Sequence, residues 1–313
     1  MIPIILCVAI LIFVLMNFIP GDPATIALGP GATKEDIQAY RDVLGLNDPY
    51  IVRLGNYLYK MFFRLDFGMS FTFGTPVIAD LLARFPYTLL IAVICITLSS
   101  LIGIPLGVSS ALKANRVYDR VVMVLSLLFN SIPGFWLALL LIILFSLQLG
   151  WLPSFGFEHW TNYILPCFAN AMSGVAAITR QTRSSILEVI RSDFVVTARS
   201  KGLRKSRVTY GHALPNGLVP VVASIGVTFS HMMGGTLIIE TIYSIPGLGS
   251  YMIKAISARD YPAVQGAIVF VAFMSFLVVL LVDIIYAFIN PRIRAQYIRM
   301  RRKKEQPAKE QTT

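Results

Sequence analysis

Charge is scarce in this chain. Only 14% of its 313 residues are Asp, Glu, Lys or Arg, against 56% hydrophobic, which is too apolar for a soluble domain of this size. Cysteine and histidine are scarcer, at three each. Cys7, Cys95 and Cys167 all lie in apolar runs, are odd in number and fit no metal spacing. They read as small buried hydrophobes, not as a disulfide framework or a metal site. The residues after His159, His212 and His231 are Trp, Ala and Met, so HExxH is excluded, and no G-x-S-x-G occurs. An intramembrane protease or esterase therefore has neither its zinc site nor its nucleophile. No Gly-Lys dipeptide exists, and the phosphate-cradling G-x4-G-K-[ST] loop goes with it. Pro246-Gly247-Leu248-Gly249 is glycine-rich, but no helix start suited to a nucleotide is evident after it.

What is present is a series of long uncharged runs, the mark of a polytopic α-helical membrane protein. Six spans are expected, at 2–19, 87–112, 121–149, 164–179, 218–242 and 263–289. The first, at 1.5 Å per residue, reaches roughly 27 Å, barely a bilayer core. It has no basic leader and no small-x-small cleavage site, which argues against a cleaved signal peptide. Pro20-Gly21-Asp22-Pro23 stops it. Residues 21–86 are mixed in polarity and long enough for a small extramembrane helical subdomain lying on the bilayer surface. Thr33 opens one helix there and Gly45 closes it. A second follows Pro49 with Leu54, Leu58, Met61 and Leu65 on one face. Thr75-Pro76 opens a third, carrying Ile78, Leu81, Leu82 and Phe85, that ends before the second span. The tail from Asn290 is basic and polar.

Net charge is +11, which in a soluble protein would point to nucleic acid. Its distribution points instead to membrane orientation. The loops at 113–120 and 180–216 and the tail at 292–313 hold 19 Lys and Arg against five acids. The segments at 21–86, 151–163 and 243–262 hold eight against nine acids. The first group is therefore expected in the cytoplasm with both termini.

The basic segment between the fourth and fifth spans carries further pattern. Ile186, Ile190, Phe194 and Ala198 recur every four residues, an apolar stripe on a helical loop. Asp193 is the expected cap of a short helix over 194–201, and Gly202 its left-handed stop. Ser206 is the expected cap of the next helix, which enters the fifth span through Pro215 and Pro220. Spacing alone leaves two readings open. One is a rigid helix that fits a groove on a cytoplasmic partner. The other is a solvated basic loop that only sets topology.

The segment resembles the coupling loop of binding-protein-dependent ABC importers, EAA-x3-G-x9-I-x-L-P. Ala198, Gly202, Leu214 and Pro215 match, while Val196, Thr197 and His212 depart from it. Those departures are similar to the T-A-R-x-K-G and H-x-L-x-N forms of the dipeptide/oligopeptide/nickel branch. Here they stand as Thr197-Ala198-Arg199-Ser200-Lys201-Gly202 and His212-Ala213-Leu214-Pro215-Asn216. Pro20-Gly21-Asp22-Pro23 resembles the P-G-D-P of that branch's first permease type. The stretch from Glu240 to Gly249, with Arg259-Asp260-Tyr261-Pro262 after it, resembles its outer loop. One departure concerns the start. This branch carries Lys or Arg before the first span, and this chain begins Met1-Ile2-Pro3, so either the true start lies upstream or the first helix begins within the bilayer.

The resemblance implies an all-α permease of the type I importer fold (MetI-like). Its parts would be a first transmembrane helix at 1–20, an extracytoplasmic helical region at 21–86, a five-helix permease domain at 84–289 with its coupling loop at 184–216, and a cytoplasmic tail at 290–313. It implies a second permease subunit, two cytoplasmic ATPases and an external substrate-binding protein, all at the inner membrane of a prokaryote. No cofactor is bound by this chain, and ATP–Mg sits on the partners. Asp193, Thr197, Ala198, Arg199, Lys201, Gly202, His212, Leu214 and Pro215 would meet the ATPase. His231, Gly234, Gly235 and Glu240 are candidate gate or pathway residues, with a helix–helix hydrogen bond the leading reading for His231. Peptides are the expected cargo, with nickel chelates and glutathione-like solutes as alternatives. A secondary transporter would need mid-membrane carboxylates, and the apolar runs offer Asp283, expected to pair with Arg180 or Arg183. Asn17 and Asn130 read as interhelical hydrogen-bonding residues.

Overall fold

A computed structural model of the chain describes residues 2–289, so the basic tail at 290–313 lies outside the described residues. In chain order the helices are α1 (Ile2–Phe18), α2 (Pro23–Leu28), α3 (Lys34–Val43), α4 (Tyr50–Arg64), α5 (Val77–Leu112), α6 (Val117–Ser131), α7 (Gly134–Leu141), α8 (Ile164–Ile190), α9 (Asp193–Ser200), α10 (Leu214–Ile242), α11 (Leu248–Ser257) and α12 (Tyr261–Ile289). Seven-residue π-type turns, Ile142–Gln148 and Arg207–Ala213, extend α7 and precede α10.

Local chemistry accounts for most boundaries. Thr33 and Asp36 form a reciprocal capping box at the start of α3, and Gly45 follows its end at φ +66°. Leu65 is the left-handed residue that ends α4 and is 65% exposed, so it does not extend the buried face of Leu54, Leu58 and Met61. The expected separate helix at 76–85 does not exist. It runs unbroken through Pro86 into the second span as the 36-residue α5. Leu81, Thr88 and Ile91 are all buried, and packing on both sides of Pro86 outweighs its one lost hydrogen bond. The third run breaks where the residue before a proline disfavours the helical conformation, with Ile132 and Pro133 both extended. The fourth helix continues past Thr179 to Ile190.

Among the described residues, α5, α12 and the run Arg207–Gly234 are long and apolar enough to cross a membrane, and the broken pair α6–α7 adds a fourth. The apolar α1 is shorter. At 27 residues α8 has the length, but Asn170, Arg180 and Arg183 lie among its apolar residues.

The chain forms two compact units, and α5, α8, α10 and α12 contribute to both. The first comprises 1–95, 133–170 and 232–276. Its core joins Ile5, Ala9, Ile12 and Met16 of α1 to Val77 and Leu81 of α5, Tyr251 and Met252 of α11, and Ala263 to Phe270 of α12. Buried Asp260 accepts from the Ser70 hydroxyl at 2.5 Å, the Thr72 amide and the Ala263 amide, tying the 66–76 loop to the start of α12. Cys95 is buried and donates to the Cys167 carbonyl, whereas Cys7 is exposed. Asn17 donates back to the Phe13 carbonyl within α1, so it does not bridge helices.

Of the described residues, the second unit comprises 96–132, 171–231 and those from 277 on. Here α5 and α8 meet through small residues. Ser99 donates to the Ala171 carbonyl at 3.0 Å. A Cβ on Gly103 would meet Ile178, and one on Gly107 would lie 2.6 Å from the Thr179 carbonyl. Gly103-x3-Gly107 is thus a close-approach motif. Ile186 packs on Gly217, whose carbonyl accepts from Ser185 at 2.6 Å.

Candidate functional site

The short basic helix belongs to the second unit. Reverse-turn bonds from Arg191 and Ser192 to the Glu188 and Val189 carbonyls end α8, and Ser192 then turns extended as the N-cap of α9. Asp193 is therefore the first helical residue and not the cap, and the Ser192 hydroxyl is spent on the Val189 carbonyl. Its negative charge still lies in the first turn, where the helix dipole favours it. The helix is eight residues, about 12 Å. Gly202 follows at φ +75°, the expected left-handed stop, and a Cβ there would meet no atom within 4 Å. Ser206 is already helical and caps nothing, because the next helical run begins at Lys205.

The stripe expected through Ile186, Ile190, Phe194 and Ala198 breaks with the helix at Ser192. The inward residue of α9 is Val195, fully buried against Val208 and Ala213, with Val189, Ile190, Ala198 and Leu203 around it. This anchor, with Ala198 half-buried beside it, leaves most of α9 outward. Phe194 and Val196 are 41% and 53% exposed, and Thr197, Arg199, Lys201 and Gly202 are exposed beside them. Thr197 bonds its own helix at the Asp193 carbonyl. His212 is exposed in the π-type turn, and its carbonyl accepts from Asn216 at 2.8 Å. Leu214 is half-buried and Pro215 exposed at the first turn of α10. A helix held by one buried side, with an apolar and cationic outer side, can be gripped and moved as a rigid piece.

The same unit holds a contact that the sequence reading missed. Arg183 of α8 makes a bidentate pair with Asp119 of α6, at 2.6 and 2.7 Å. Asp119 also accepts from the Ser110 hydroxyl and the Asn115 amide, so one carboxylate closes the α5–α6 turn and fixes α8 to it. Asp283, the expected partner, is exposed on α12. Asp119 had looked like one charge of a cytoplasmic loop. Its position three residues into an apolar helix was the available signal. Arg180 reaches Asn130 at 3.3 Å, so Asn130 does join two helices.

The remaining candidates lie on α10. His231 is exposed rather than interior. Gly234 is exposed and a Cβ on it would meet nothing within 4 Å, and Gly235 follows it in the same helix. Glu240 is not at the surface. It is fully buried in the first unit, accepting from the Thr88 hydroxyl at 2.7 Å and from the Gly249 and Ser250 amides at 2.6 and 3.3 Å. Thr88 in turn accepts from the Leu248 amide at 2.9 Å. The glycine-rich turn does precede a helix, α11, contrary to expectation, and the Glu240 carboxyl caps that helix's N-terminus from within. Gly247 and Gly249 are needed because a Cβ at either would strike the Glu240 carboxylate.

Known proteins match along most of the chain. Residues 103–295 match the binding-protein-dependent transport system inner membrane component, and residues 1–92 match the N-terminal model of the same component. A putative peptide transport system permease protein of Brucella abortus is 41% identical, covering 94% of this chain and 96% of the relative. A glutathione transport system permease protein of Salmonella typhimurium is 36% identical over 94% of this chain and 96% of its own length. Among solved structures, the inward-facing MetNI methionine ABC transporter is similar at a TM-score of 0.59 and 18% identity, covering 68% of this chain and 97% of that one. That likeness establishes the fold.

Proposed function

The chain belongs to the binding-protein-dependent transport system inner membrane components, and from that premise we propose that it is half of the peptide pathway of an ATP-driven importer. The single observation that carries the coupling role is α9, an eight-residue helix closed by Gly202, with one buried anchor at Val195 and with Phe194, Val196 and Thr197 exposed around it. The peptide assignment is supported by the 41% identity to the peptide transport relative. The glutathione relative keeps small peptide-like solutes within the same class.

In this reading the chain crosses the inner membrane six times, as α1, α5, α6–α7, α8, α10 and α12. The region 21–86 is on the extracytoplasmic side of the membrane, and both termini and the loop 184–216 face the cytoplasm. Residues 84–289 form the permease domain, and 290–313 a cytoplasmic tail. A second permease completes the pathway, an external binding protein delivers cargo, and two ATPases hold ATP–Mg. Asp193, Thr197, Ala198, Arg199, Lys201, Gly202, His212, Leu214 and Pro215 form the surface on or beside which an ATPase closes. The Asp119–Arg183 pair passes that displacement from α8 to α5 and α6. His231, Gly234 and Gly235 line the pathway side of α10. Glu240 has a positioning role: it fixes the outer turn from within.

The test is uptake of labelled dialanine and trialanine into vesicles bearing the full complex with an ATP-regenerating system. ATP-dependent accumulation that vanishes when this chain is left out supports the reading. Uptake by this chain alone, or driven by a proton gradient without ATP hydrolysis, overturns it.

A further inference from the structure

Helix α4 has three faces. Tyr57, Leu58 and Met61 pack in the first unit's core. Arg53, Asn56 and Lys60 form a polar face lining a cavity of about 870 Å³. At 100° per residue, Ile51, Val52, Tyr59, Phe62 and Phe63 fall on a third arc about 120° wide. These five are 81%, 47%, 51%, 37% and 80% exposed. For a helix outside the long apolar runs, so large an uncovered apolar arc calls for an occupant.

Two observations say what covers it. The first is depth. Phe13 of α1 packs on Tyr50 and Tyr57 of α4, with ring centroids 5.3 Å apart in each case. Phe13 stands five residues before the end of α1, about 7.5 Å back along the helix axis. Over the same turns α1 exposes Leu11, Leu15 and Phe18 at 58%, 50% and 80%. So α4 is held level with turns that face an apolar surrounding. The second is charge. Arg53 and Lys60 lie on the neighbouring cavity face, beyond one edge of the arc, and Arg64 lies over the Tyr59 ring at 5.5 Å. An apolar, aromatic arc edged by cations suits the boundary between acyl chains and anionic headgroups.

We propose that α4 lies in the bilayer leaflet at the C-terminal end of α1, with acyl chains against Ile51, Tyr59 and Phe63 and anionic headgroup phosphates at Arg53 and Lys60. The proposal goes beyond the transport role and rests only on α1 crossing the membrane.

The test places a tryptophan reporter at Phe63→Trp, and separately at Leu15→Trp, in the full chain in phosphatidylcholine–phosphatidylglycerol vesicles. Emission added over the native background of Trp136, Trp151 and Trp160 is read with acyl-brominated lipid and with aqueous iodide. The expected result is that brominated lipid removes most of the added emission at both positions and iodide removes little. Quenching at Leu15→Trp but not at Phe63→Trp overturns the proposal and leaves α1 as a span. Iodide quenching at Phe63→Trp, or protection from both quenchers by an assembled partner, overturns it too. Quenching by lipid at neither position removes the span and the proposal together. A second expected result is that Arg53→Gln/Lys60→Gln lowers the ratio of anionic to zwitterionic lipid retained by the detergent-purified chain. An unchanged ratio overturns the headgroup assignment.

Discussion

Two carboxylates hold positions that their neighbours in sequence do not announce. Glu240 accepts three hydrogen bonds while fully buried, so its removal strands two amides and a hydroxyl. Each buried group left unsatisfied costs roughly 1–3 kcal/mol. Glu240→Ala is predicted to lower the thermal midpoint of the detergent-purified chain well below that of Glu240→Gln, which keeps one acceptor for the amides. Equal midpoints for the two variants would remove the cap from this account. Asp119 and Arg183 form a pair of which the acid is 3% and the base 24% exposed. Breaking it from the arginine side leaves a buried charge, so Arg183→Ala should cost about 2–4 kcal/mol. Arg183→Ala/Asp119→Ala should be less destabilised than the two single changes added together, measured as a double-mutant cycle in denaturant. The sequence did show that Glu240 mattered, since it stands at the head of a recognisable loop. It could not show that the residue points inward, because that depends on Thr88, 152 residues away. Asp119 was hidden for the same reason: its partner lies 64 residues on.

At the scale of elements, local rules succeeded where the signal was local. Thr33 and Gly45 bound α3 as capping chemistry requires, and Gly202 closes α9 in the left-handed conformation. They failed where packing overrides propensity. Pro86 was read as a boundary and sits inside α5. The stripe Ile186–Ile190–Phe194 assumed one continuous helix, and the break at Ser192 rotates Val195 inward in place of Phe194. One element-scale signal went unread. Gly103-x3-Gly107 places two glycines on the face of α5 that meets α8, in the spacing that lets helices approach in lipid. A methyl group on Gly107 would lie 2.5 Å from the Thr182 Cβ. Gly107→Ala is therefore predicted to destabilise by about 1–3 kcal/mol, as overpacking does. Gly134→Ala, at a position where a Cβ would meet nothing within 4 Å, should be near neutral by the same thermal measurement. A Gly107→Ala midpoint equal to that of the wild type would show that the two helices have room to spare.

For the whole molecule, the motifs proved more informative than the runs. Composition located the apolar helices, yet α8 does not stand out by apolarity, and α6–α7 is a broken pair. The matched family covers residues 1–92 and 103–295, and the motifs at 20–23, 197–216 and 240–249 fall within those stretches. The central claim is that the outward side of α9 receives the movement of an ATPase. The structure sharpens where to test it. Ala198 is half-buried against Val195 and its neighbours, so a charge there would disturb packing as well as docking. Val196 is 53% exposed, which makes Val196→Asp the cleaner probe. The decisive measurement is peptide imported per ATP hydrolysed by the reconstituted complex carrying Val196→Asp, with its thermal midpoint as a check on folding. The predicted result is an unchanged midpoint, continued ATP hydrolysis and at least a roughly tenfold fall in the ratio, equivalent to about 1.4 kcal/mol of lost coupling. A ratio equal to that of the wild type would contradict the account.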